Sequence, residues 1–574
     1  MDSEMRRRNP VRQGEFPVCL LFRGKCSHSN HRPMIPTMLP RFTSFLLLLI
    51  ANSGYLLMGQ ALQTPYTLND KDWYNRKVGI TRYLIEVMEG DPMVAIEQAR
   101  KQGEDAEADF IQALAYAQLG IADSSLFYIR QSLQKRLPVE RYLIPGAAYL
   151  QKIQQLPGFE AFMKDKDSGL YHGPMLGAVR NRQLQVWLRT KAREKVTILY
   201  SRDKRFAFTQ RVSGISDNQT GIISLKIRNL EIGQQYFYKL NIGGEVLEEI
   251  YEFRIPFRGE PFSIVFGGGA AFIPWHHHMW STIASHRPDA MFMLGDNVYI
   301  DYPDKPYVQQ YCYHRRQSEA HWRNLVANTP TYAIWDDHDF GDNDEYGTPD
   351  PDFPPWKKEV LALFKQQWAN PGYGGPNELP GVFFELPNRQ VDFFFLDGRY
   401  YREGSFVKDS TGKQLSMLGR EQREWLQERL LKSTAKFKVI ISPVPWSYTA
   451  KPEMAGRMDT WAGYKAERRA LFSFLSEHKI RGVFLLSADR HRSDVWKIDR
   501  KEGYPLYEFS SSRLTNTHYH PIMDGSLFGY NSTNSFGKLT FQLQGSNPKV
   551  TYEIYSIENE LIYSFDLPLK KCSY

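Results

Sequence analysis

Three short apolar segments of this chain each run directly into side chains that are able to bind metal ions. The segments are residues 291–294, 332–335 and 483–487, and we expect each to be a buried strand. The side chains that follow are Asp296, Asn297, Tyr299 and Asp301, then Asp336, Asp337, His338, Asp339 and Asn343, and lastly Asp489, Arg490 and His491. Because ligand sites of α/β sheets lie at strand ends, we expect these groups to meet at one site.

The residue types in these three clusters indicate the chemistry of a two-metal hydrolase. Two metal ions about 3.5–4 Å apart activate a water molecule and hold the oxygens of a phosphoryl group. Carboxylate and amide oxygens and imidazole nitrogens are suitable ligands for such ions. Taken singly, each cluster is also compatible with an ordinary turn capped by Asp or Asn. Three such strand ends in one chain favour the metal site.

The same motifs resemble those of the alkaline phosphatase D (PhoD-like) family of metallophosphoesterases. The motifs are Gly295-Asp-Asn-Val-Tyr299, Trp335-Asp-Asp-His-Asp-Phe-Gly-Asp-Asn343, Asp397-Gly-Arg-Tyr-Tyr-Arg402 and Ser487-Ala-Asp-Arg-His491. The resemblance covers residues 168–560 and implies a two-metal phosphoesterase on a four-layer α/β sandwich, typically with iron and calcium. It further implies that Asp296 bridges the two metals, that Tyr299 and His491 bind the first, and that Asn343 and Asp489 bind the second.

One position departs from the pattern of that family, in which a strand ends in Gly-Ser-Cys and the cysteine is an iron ligand. Here Gly269 occupies the position of that cysteine. The first metal is therefore left with oxygens and one nitrogen, a set that several ions can share, so the two metals are open between Ca, Fe, Zn, Mn and Mg. We expect Gly269→Cys to tighten the site unless the glycine has a positive φ.

Two further residues are candidates for contact with the substrate. We expect His338 to bind phosphate or donate a proton, and Arg490 to clamp a phosphate oxygen through its planar guanidinium group. The alternatives are a hydrogen-bonded loop histidine and an ordinary ion-pair arginine. The run His276–His278 is expected to be an exposed loop near the site and not a ligand set, because consecutive side chains do not converge on one ion.

At 574 residues the chain is too long for a single core. We predict four parts: a leader with a signal peptide at 1–61, a helical region at 68–165, a small immunoglobulin- or fibronectin-like β-sandwich at 168–256, and the α/β catalytic domain at 257–565. In the helical region, segments 94–102, 106–119 and 124–133 resemble tetratricopeptide (TPR) repeats. They would form either a docking surface for a protein partner or a packed cap without a ligand.

Alternating strands and helices in residues 257–565 predict the layered α/β fold. The predicted strands are 262–266, 290–294, 332–335, 391–396, 437–441 and 483–486, with a late edge strand at 550–555. The predicted helices include 418–431 and 464–478.

Residues 38–61 resemble a secretory signal peptide, since a short positive start precedes an apolar run. Polar residues at 52–54 leave this run short of the ~18 apolar residues of a membrane span, so no stable transmembrane segment is expected. The first 60 residues hold 8 Lys+Arg against 3 Asp+Glu, and without them the net charge falls from +8 to +3. This balance carries no signature of nucleic-acid binding.

The sequence therefore predicts an exported phosphoesterase, periplasmic or secreted, that hydrolyses phosphate mono- or diesters with a metal-activated water. The alternative is a catalytically weak phosphate- or partner-binding protein with a degenerate metal site.

Overall fold

The structure is a computed structural model that describes residues 70–103, 105–180, 182–255, 261–388, 390–404, 415–447 and 457–574. The predicted leader and signal peptide at 1–61 lie outside these residues. Within these ranges no helix is both long enough and apolar enough to cross a membrane.

In the part of the chain that the structure describes, six α-helices precede the first strand. They are α1 Asp70–Glu89, α2 Pro92–Arg100, α3 Ala106–Gln118, α4 Ala122–Gln134, α5 Gln151–Gln154 and α6 Phe159–Met163. Helix α2 begins where the side chain of Asp91 accepts a hydrogen bond from the backbone of Met93, and α3 begins in the same way at Asp105. Almost every residue of α3 is buried, which explains its run of alanines. Helices α2, α3 and α4 fall on the segments predicted as TPR-like, and that assignment stays a prediction.

Two small antiparallel sheets follow the helices. Their strands are β1 Leu170–Arg180, β2 Gln183–Thr190, β3 Lys195–Ser201, β4 Gln210–Ile215, β5 Ile222–Ile227, β6 Gln235–Ile242, β7 Glu245–Val246 and β8 Tyr251–Arg254. One sheet has the order β1-β2-β5 and the other the order β4-β3-β6-β7, with β8 also paired to β6. Apolar side chains from both sheets pack into one cluster, among them Val186 from the first and Ile198 from the second.

The remaining residues form two large mixed sheets with helices between their strands. The strands are β9 Phe262–Gly267, β10 Ala290–Leu294, β11 Thr331–Ile334, β12 Phe384–Asn388, β13 Val391–Phe395, β14 Phe437–Ile441, β15 Val483–Ser487, β16 Ser493–Ile498, β17 Leu506–Ser510, β18 Phe528–Tyr530, β19 Ser535–Gln542, β20 Lys549–Ser556 and β21 Leu561–Pro568. The helices are α7 His278–Ser285, α8 Pro306–Gln317, α9 Ala320–Asn328, α10 Asp337–Phe340, α11 Lys357–Lys365, α12 Gly419–Lys432 and α13 Lys465–Glu477.

The first large sheet has the order β11-β10-β9-β19-β20-β21, and the second has the order β12-β13-β14-β15-β17-β16-β18. Strands β9, β10 and β11 run parallel, as do β13, β14, β15 and β17, so their carboxyl ends lie at common edges. The two sheets meet through aromatic side chains: the ring of Phe292 lies 5.1 Å from that of Phe393, and the ring of Phe509 lies 4.5 Å from that of Tyr552.

The six main strands predicted for this region all exist, with ends that differ by at most one residue. The prediction that residues 550–555 form an edge strand is wrong. Strand β20 lies between β19 and β21, and β21 is the edge. Only one of the eight residues of β21 is buried, which weakens the apolar pattern by which a strand is found in sequence.

A buried ion pair ties the N-terminal helices to the region of the predicted site. Arg141 donates two hydrogen bonds to the carboxylate of Glu107, at 2.6 and 3.0 Å, and the hydroxyl of Tyr311 on α8 donates to the same carboxylate at 2.6 Å. Arg141 and Glu107 are almost completely buried. Near the start of α8, Lys305 and Tyr307 both donate to Glu89 at the end of α1.

We expect Arg141→Met to destabilise the protein by about 3–5 kcal/mol, because it removes the guanidinium group that makes two hydrogen bonds to the buried Glu107 carboxylate. The matched control is Arg202→Met, which breaks an exposed pair with Glu231 that has a similar N–O distance of 2.6 Å. That control should cost no more than about 1 kcal/mol. Denaturant unfolding followed by circular dichroism measures both values, and equal losses would contradict a stabilising role for the buried pair.

Candidate metal centre

A cavity of about 620 Å³ lies at the carboxyl ends of β10, β11 and β15. All seven residues predicted for the site line it: Asp296, Tyr299, His338, Asn343, Asp489, Arg490 and His491. Thr81 of α1 also lines the cavity, so the helical region supplies part of its wall. Residues from three separate strand ends are thus brought together, as the sequence pattern predicted.

Asp296 lies in a tight turn that leaves β10. Gly295 and Asp296 both have positive φ, +106° and +51°. A Cβ on Gly295 would lie 2.5 Å from the Cβ of Asp336, so only glycine allows the exits of β10 and β11 to pass this closely. The Asp296 Oδ2 atom accepts a hydrogen bond of 2.9 Å from the hydroxyl of Tyr299 and lies 4.0 Å from Nε2 of His491.

A second tight turn follows β15. Asp489 and His491 both have positive φ, +66° and +48°, and both line the cavity. The guanidinium group of Arg490, between them, lies 2.8 Å from the Asp489 carboxylate. Burial raises the pKa of Asp489 to about 7, against the opposing effect of Arg490. The turn therefore presents a carboxylate, a cation and an imidazole to one space.

His338 is held as a cation at the cavity wall. Its Nδ1 atom lies 2.7 Å from Oδ1 of Asp301, and its ring lies 4.3 Å from the ring of Tyr299. Burial opposes the charged form, but the nearby Asp337 and the contact with Asp301 raise the pKa of His338 to about 9. At neutral pH the imidazole is therefore protonated in the metal-free protein, which suits contact with an anion.

Asn343 occupies the rim of the cavity and is exposed. Its backbone N–H donates to the side chain of Asp342 at 2.7 Å, and the next residue, Asp344, donates its own backbone N–H to Asp337. The loop after α10 is thus fixed to the cavity floor through Asp337.

Four carboxylates and one arginine outside the predicted ligand set lie close to it: Asp336, Asp337, Asp344, Asp459 and Arg399. Asp337 has a ligand atom within 4.8 Å of ligand atoms of Asp296 and His338, and it forms a second such group with Asp344 and Asp459. Arg399 donates to Asp336 at 2.5 Å and makes two hydrogen bonds to Asp459, and it lies 3.6 Å from Asp337.

The position of Arg399 depends on Asp397, which accepts hydrogen bonds from the backbone of Arg399 and from the indole of Trp335. Arg399 lies in the sequence block from Asp397 to Arg402 and could have been found from it, whereas no spacing pattern pointed to Asp459.

The donor set fits a divalent cation. Asp296 Oδ1 and His491 Nδ1 are buried, and neither has a hydrogen-bond partner in the part of the chain that the structure describes. Burial, together with the charge of Asp337, raises the pKa of Asp296 well above its usual range. A cation between these groups would compensate the carboxylate charge, and carboxylate, phenol and imidazole are ligands for such an ion.

Gly269, which stands at the position of the family's cysteine, has a φ of +68°. An added Cβ would lie 3.2 Å from the backbone nitrogen of Arg513 and 3.2 Å from Oγ of Ser512. Because φ is positive at Gly269, the substitution Gly269→Cys is not expected to tighten the site. The neighbouring histidines do not replace the thiolate either, because none of them lines the cavity.

The three consecutive histidines contact other parts of the fold. His276 contacts the carbonyl oxygen of Thr515 at 3.0 Å, His277 lies 3.6 Å from Glu319, and His278 lies 3.3 Å from Glu558. They are buried or half-buried, so the expectation of an exposed loop was wrong. A short 3-10 helix and the start of α7 occupy this segment instead.

Comparison with known proteins gives two family matches. Residues 388–558 match the model of the PhoD-like phosphatases, and residues 167–258 match a domain of unknown function. The first match includes Asp489, Arg490 and His491 but not the motifs that begin at Gly295 and Trp335.

The chain is 23% identical over 317 residues to alkaline phosphatase D of Bacillus subtilis (strain 168), which is 47% of this chain and 53% of that protein. The chain thus spans about half the length of this curated relative. A solved structure of PhoD aligns with a TM-score of 0.57 at 16% identity, over 71% of this chain and 90% of that one. A purple acid phosphatase from yellow lupin (Lupinus luteus) aligns with a TM-score of 0.49 at 13% identity, over 69% and 74%. The match to PhoD shows a shared mixed α/β fold with several sheets.

We expect Gly269→Ala to destabilise the protein more than Gly103→Ala does. Both glycines have positive φ, +68° and +73°, but nothing lies within 4 Å of a Cβ added to Gly103. Gly103→Ala should cost about 1–2 kcal/mol through its backbone alone. Gly269→Ala should cost about 1–3 kcal/mol more, because its Cβ meets packed backbone. Thermal unfolding of both variants measures the difference. Equal losses of stability would show that the segment at Arg513 moves aside without a further loss of stability.

Proposed function

For a chain that carries a domain of the PhoD-like phosphatase family, we propose the function of an exported, metal-dependent phosphoesterase that hydrolyses phosphate mono- or diesters. The observation that carries this proposal is the meeting of Asp296, Asp337, Asp489 and His491 in one cavity beside two fixed cations, His338 and Arg490. Carboxylates in such number provide ligands for cations, while the imidazolium and guanidinium groups attract the anion of a phosphate ester.

The ligand assignment proposed is the one that the motifs imply. Asp296 would be shared by two metal ions, with Tyr299 and His491 on the first and Asn343 and Asp489 on the second. Bound there, the ions would supply a polarised water and neutralise the oxygens of the phosphoryl group. Asp337 is a further candidate ligand, because it lies with Asp296 in one compact group.

The chain's own residues would bind and orient the ester. Arg490 is anchored by Asp489 and lies 3.6 Å from Asp459, so its guanidinium group has a fixed position in the cavity wall. His338 is similarly fixed by Asp301. A protonated imidazole in that position can donate a hydrogen bond to a phosphoryl oxygen or a proton to the leaving group.

The second candidate is a phosphate- or partner-binding protein with little catalytic activity, and the observation that favours it is Gly269. The two candidates are separated by turnover of p-nitrophenyl phosphate and bis-p-nitrophenyl phosphate, each with and without a chelator. Metal-dependent turnover of either ester supports the enzyme, and the relative rates of the two esters assign the mono- or diester preference. If neither ester is turned over, the result favours the binding protein.

Export, the four-layer arrangement and the four-part domain division belong to the same proposal, in which the TPR-like helices are either a packed cap without a ligand or a docking surface for a protein partner. Support for the division comes from the change from helices to strands between Met163 and Leu170. N-terminal sequencing of the protein from its native host tests export, with a start near residue 60–62 as the expected result.

Asp296→Asn should lower the turnover of the better ester by more than about a hundredfold, because an amide cannot replace the shared negative charge. The thermal midpoint of the metal-free protein should not fall, since the buried carboxylate is unfavourably placed next to Asp337. Asp352→Asn, at an exposed site paired with Lys358, is the control and should keep wild-type turnover. Near-normal turnover of Asp296→Asn would refute the shared-ligand assignment.

We expect the purified protein to lose its first metal to mild chelation and to regain activity with several divalent ions. The reason is that Gly269 provides no thiolate, so the site has fewer anionic ligands. Elemental analysis before and after dialysis against a chelator, paired with activity, measures this. Stoichiometric iron that survives the dialysis would contradict the expectation and require another strong ligand.

A further inference from the structure

A segment that follows β17 packs against the glycines at the end of β9. The backbone N–H of Leu514 donates to the carbonyl of Gly268 at 3.0 Å, and those of Thr515 and Asn516 donate to the carbonyl of Gly269 at 3.2 and 3.1 Å. Gly268 also forms an isolated parallel bridge with Ser512. Since β9 and β17 belong to different sheets, this segment joins the two sheets at the edge where the cavity lies.

The segment also occupies the volume that a side chain on Gly269 would require. An added Cβ there would be 3.2 Å from both Ser512 Oγ and the nitrogen of Arg513. Besides lacking the metal-binding side chain of the family's cysteine, Gly269 therefore allows the segment to approach closely.

Asn534 fixes the segment from the opposite side. Its Nδ2 atom contacts the carbonyl oxygens of Arg513 and Leu514 at 3.2 Å each and that of Asn516 at 2.8 Å. Asn534 is buried. The backbone on both sides of Asn516 is thus held by hydrogen bonds, and its side chain has one fixed place.

The orientation of the Asn516 amide follows from its neighbours. The backbone N–H of His518 donates to Oδ1 of Asn516 at 3.1 Å, so the NH₂ group of the amide must face the other way. There it donates to the hydroxyl oxygen of Tyr299 at 2.5 Å. Tyr299 in turn donates its own proton to Asp296 at 2.9 Å. Asn516 is 4% exposed and, like Tyr299, lines the cavity.

We infer that Asn516 is a positioning residue that fixes Tyr299 as a metal ligand, on a segment whose approach depends on Gly269. The amide donor contacts the phenolic oxygen at 2.5 Å and so holds the Tyr299 ring in place beside Asp296. The inference rests on the metal site of the proposed function and adds a residue that none of the motifs contains.

Iron(III) is the probe for this inference, because a phenolate bound to it gives a charge-transfer absorption band in the visible range. Asn516→Ala should weaken Fe³⁺ retention against a competing chelator by about 10–100-fold, the usual effect of removing a hydrogen bond to a ligand. The band should also move to longer wavelength, because a phenolate without its hydrogen bond holds its electrons less tightly. Neither readout requires turnover.

Two further variants separate positioning of Tyr299 from support of the loop. Asn531→Ala removes a hydrogen bond of 2.9 Å to the carbonyl of His520 in the same loop, from a residue that does not line the cavity, and should leave both readouts unchanged. Asn516→Asp keeps the acceptor for His518 but replaces the donor towards Tyr299 with an oxygen. It should lose affinity at least as strongly as Asn516→Ala, and thermal unfolding of all variants verifies that they are folded.

The possible results distinguish this inference from the proposed function. Wild-type affinity and an unmoved band in Asn516→Ala or Asn516→Asp would overturn the inference alone, because a donor to Tyr299 would then be unnecessary. Fe³⁺ bound by the wild-type protein without a charge-transfer band would also overturn it, since Tyr299 would not be a ligand. A wild-type protein that takes up neither Fe³⁺ nor a divalent metal would overturn the proposed function, and the inference with it.

Discussion

The rest of the site depends on how the charge of its buried carboxylates is compensated. Arg399 is completely buried and bonds to Asp336 and Asp459, and Arg402 adds a second guanidinium contact to Asp459 at 2.7 Å. Although burial opposes its charge, Asp337 has a lowered pKa because Arg399 and His338 stabilise the carboxylate. For Asp296, burial and the charge of Asp337 outweigh the opposing effect of His338, and its pKa is raised. The fixed cations thus stabilise the charge of Asp337 but not that of Asp296, and a cation bound beside Asp296 would stabilise its carboxylate.

The same site concentrates unfavourable backbone conformations. Asp296, Asp344, Asp489 and His491 all have positive φ, which costs a side-chain-bearing residue about 1–2 kcal/mol. Each of these residues follows a strand or a short helix and turns its side chain into the cavity. Local stability is therefore reduced at several positions of one small region, and the surrounding sheets, with their aromatic contacts, must hold these turns in place.

The sequence was most informative where a short apolar run ends in a polar cluster. The ends of β10 and β15 could be predicted because four apolar residues followed by Asp, Asn or His leave few alternatives. Asp459 could not be found in this way, since its role comes from contact with Arg399, 60 residues away in the chain. Nor could Asn516, which meets Tyr299 across 217 residues. The position of β20 was misjudged because only one residue of β21 is buried and its apolar pattern is weak.

Gly269 is interpreted differently when it is compared with the family's motif and when its contacts in the fold are considered. In sequence it is a missing cysteine, which suggests a weakened metal site. In the fold its carbonyl accepts two hydrogen bonds from the segment that carries Asn516, and its lack of a side chain lets that segment approach. A cysteine at this position would have a strained positive φ and would bring its Cβ to 3.2 Å from the segment that carries Asn516. Gly269 is therefore both an absent side chain at the proposed metal site and a contact point for the segment that carries Asn516.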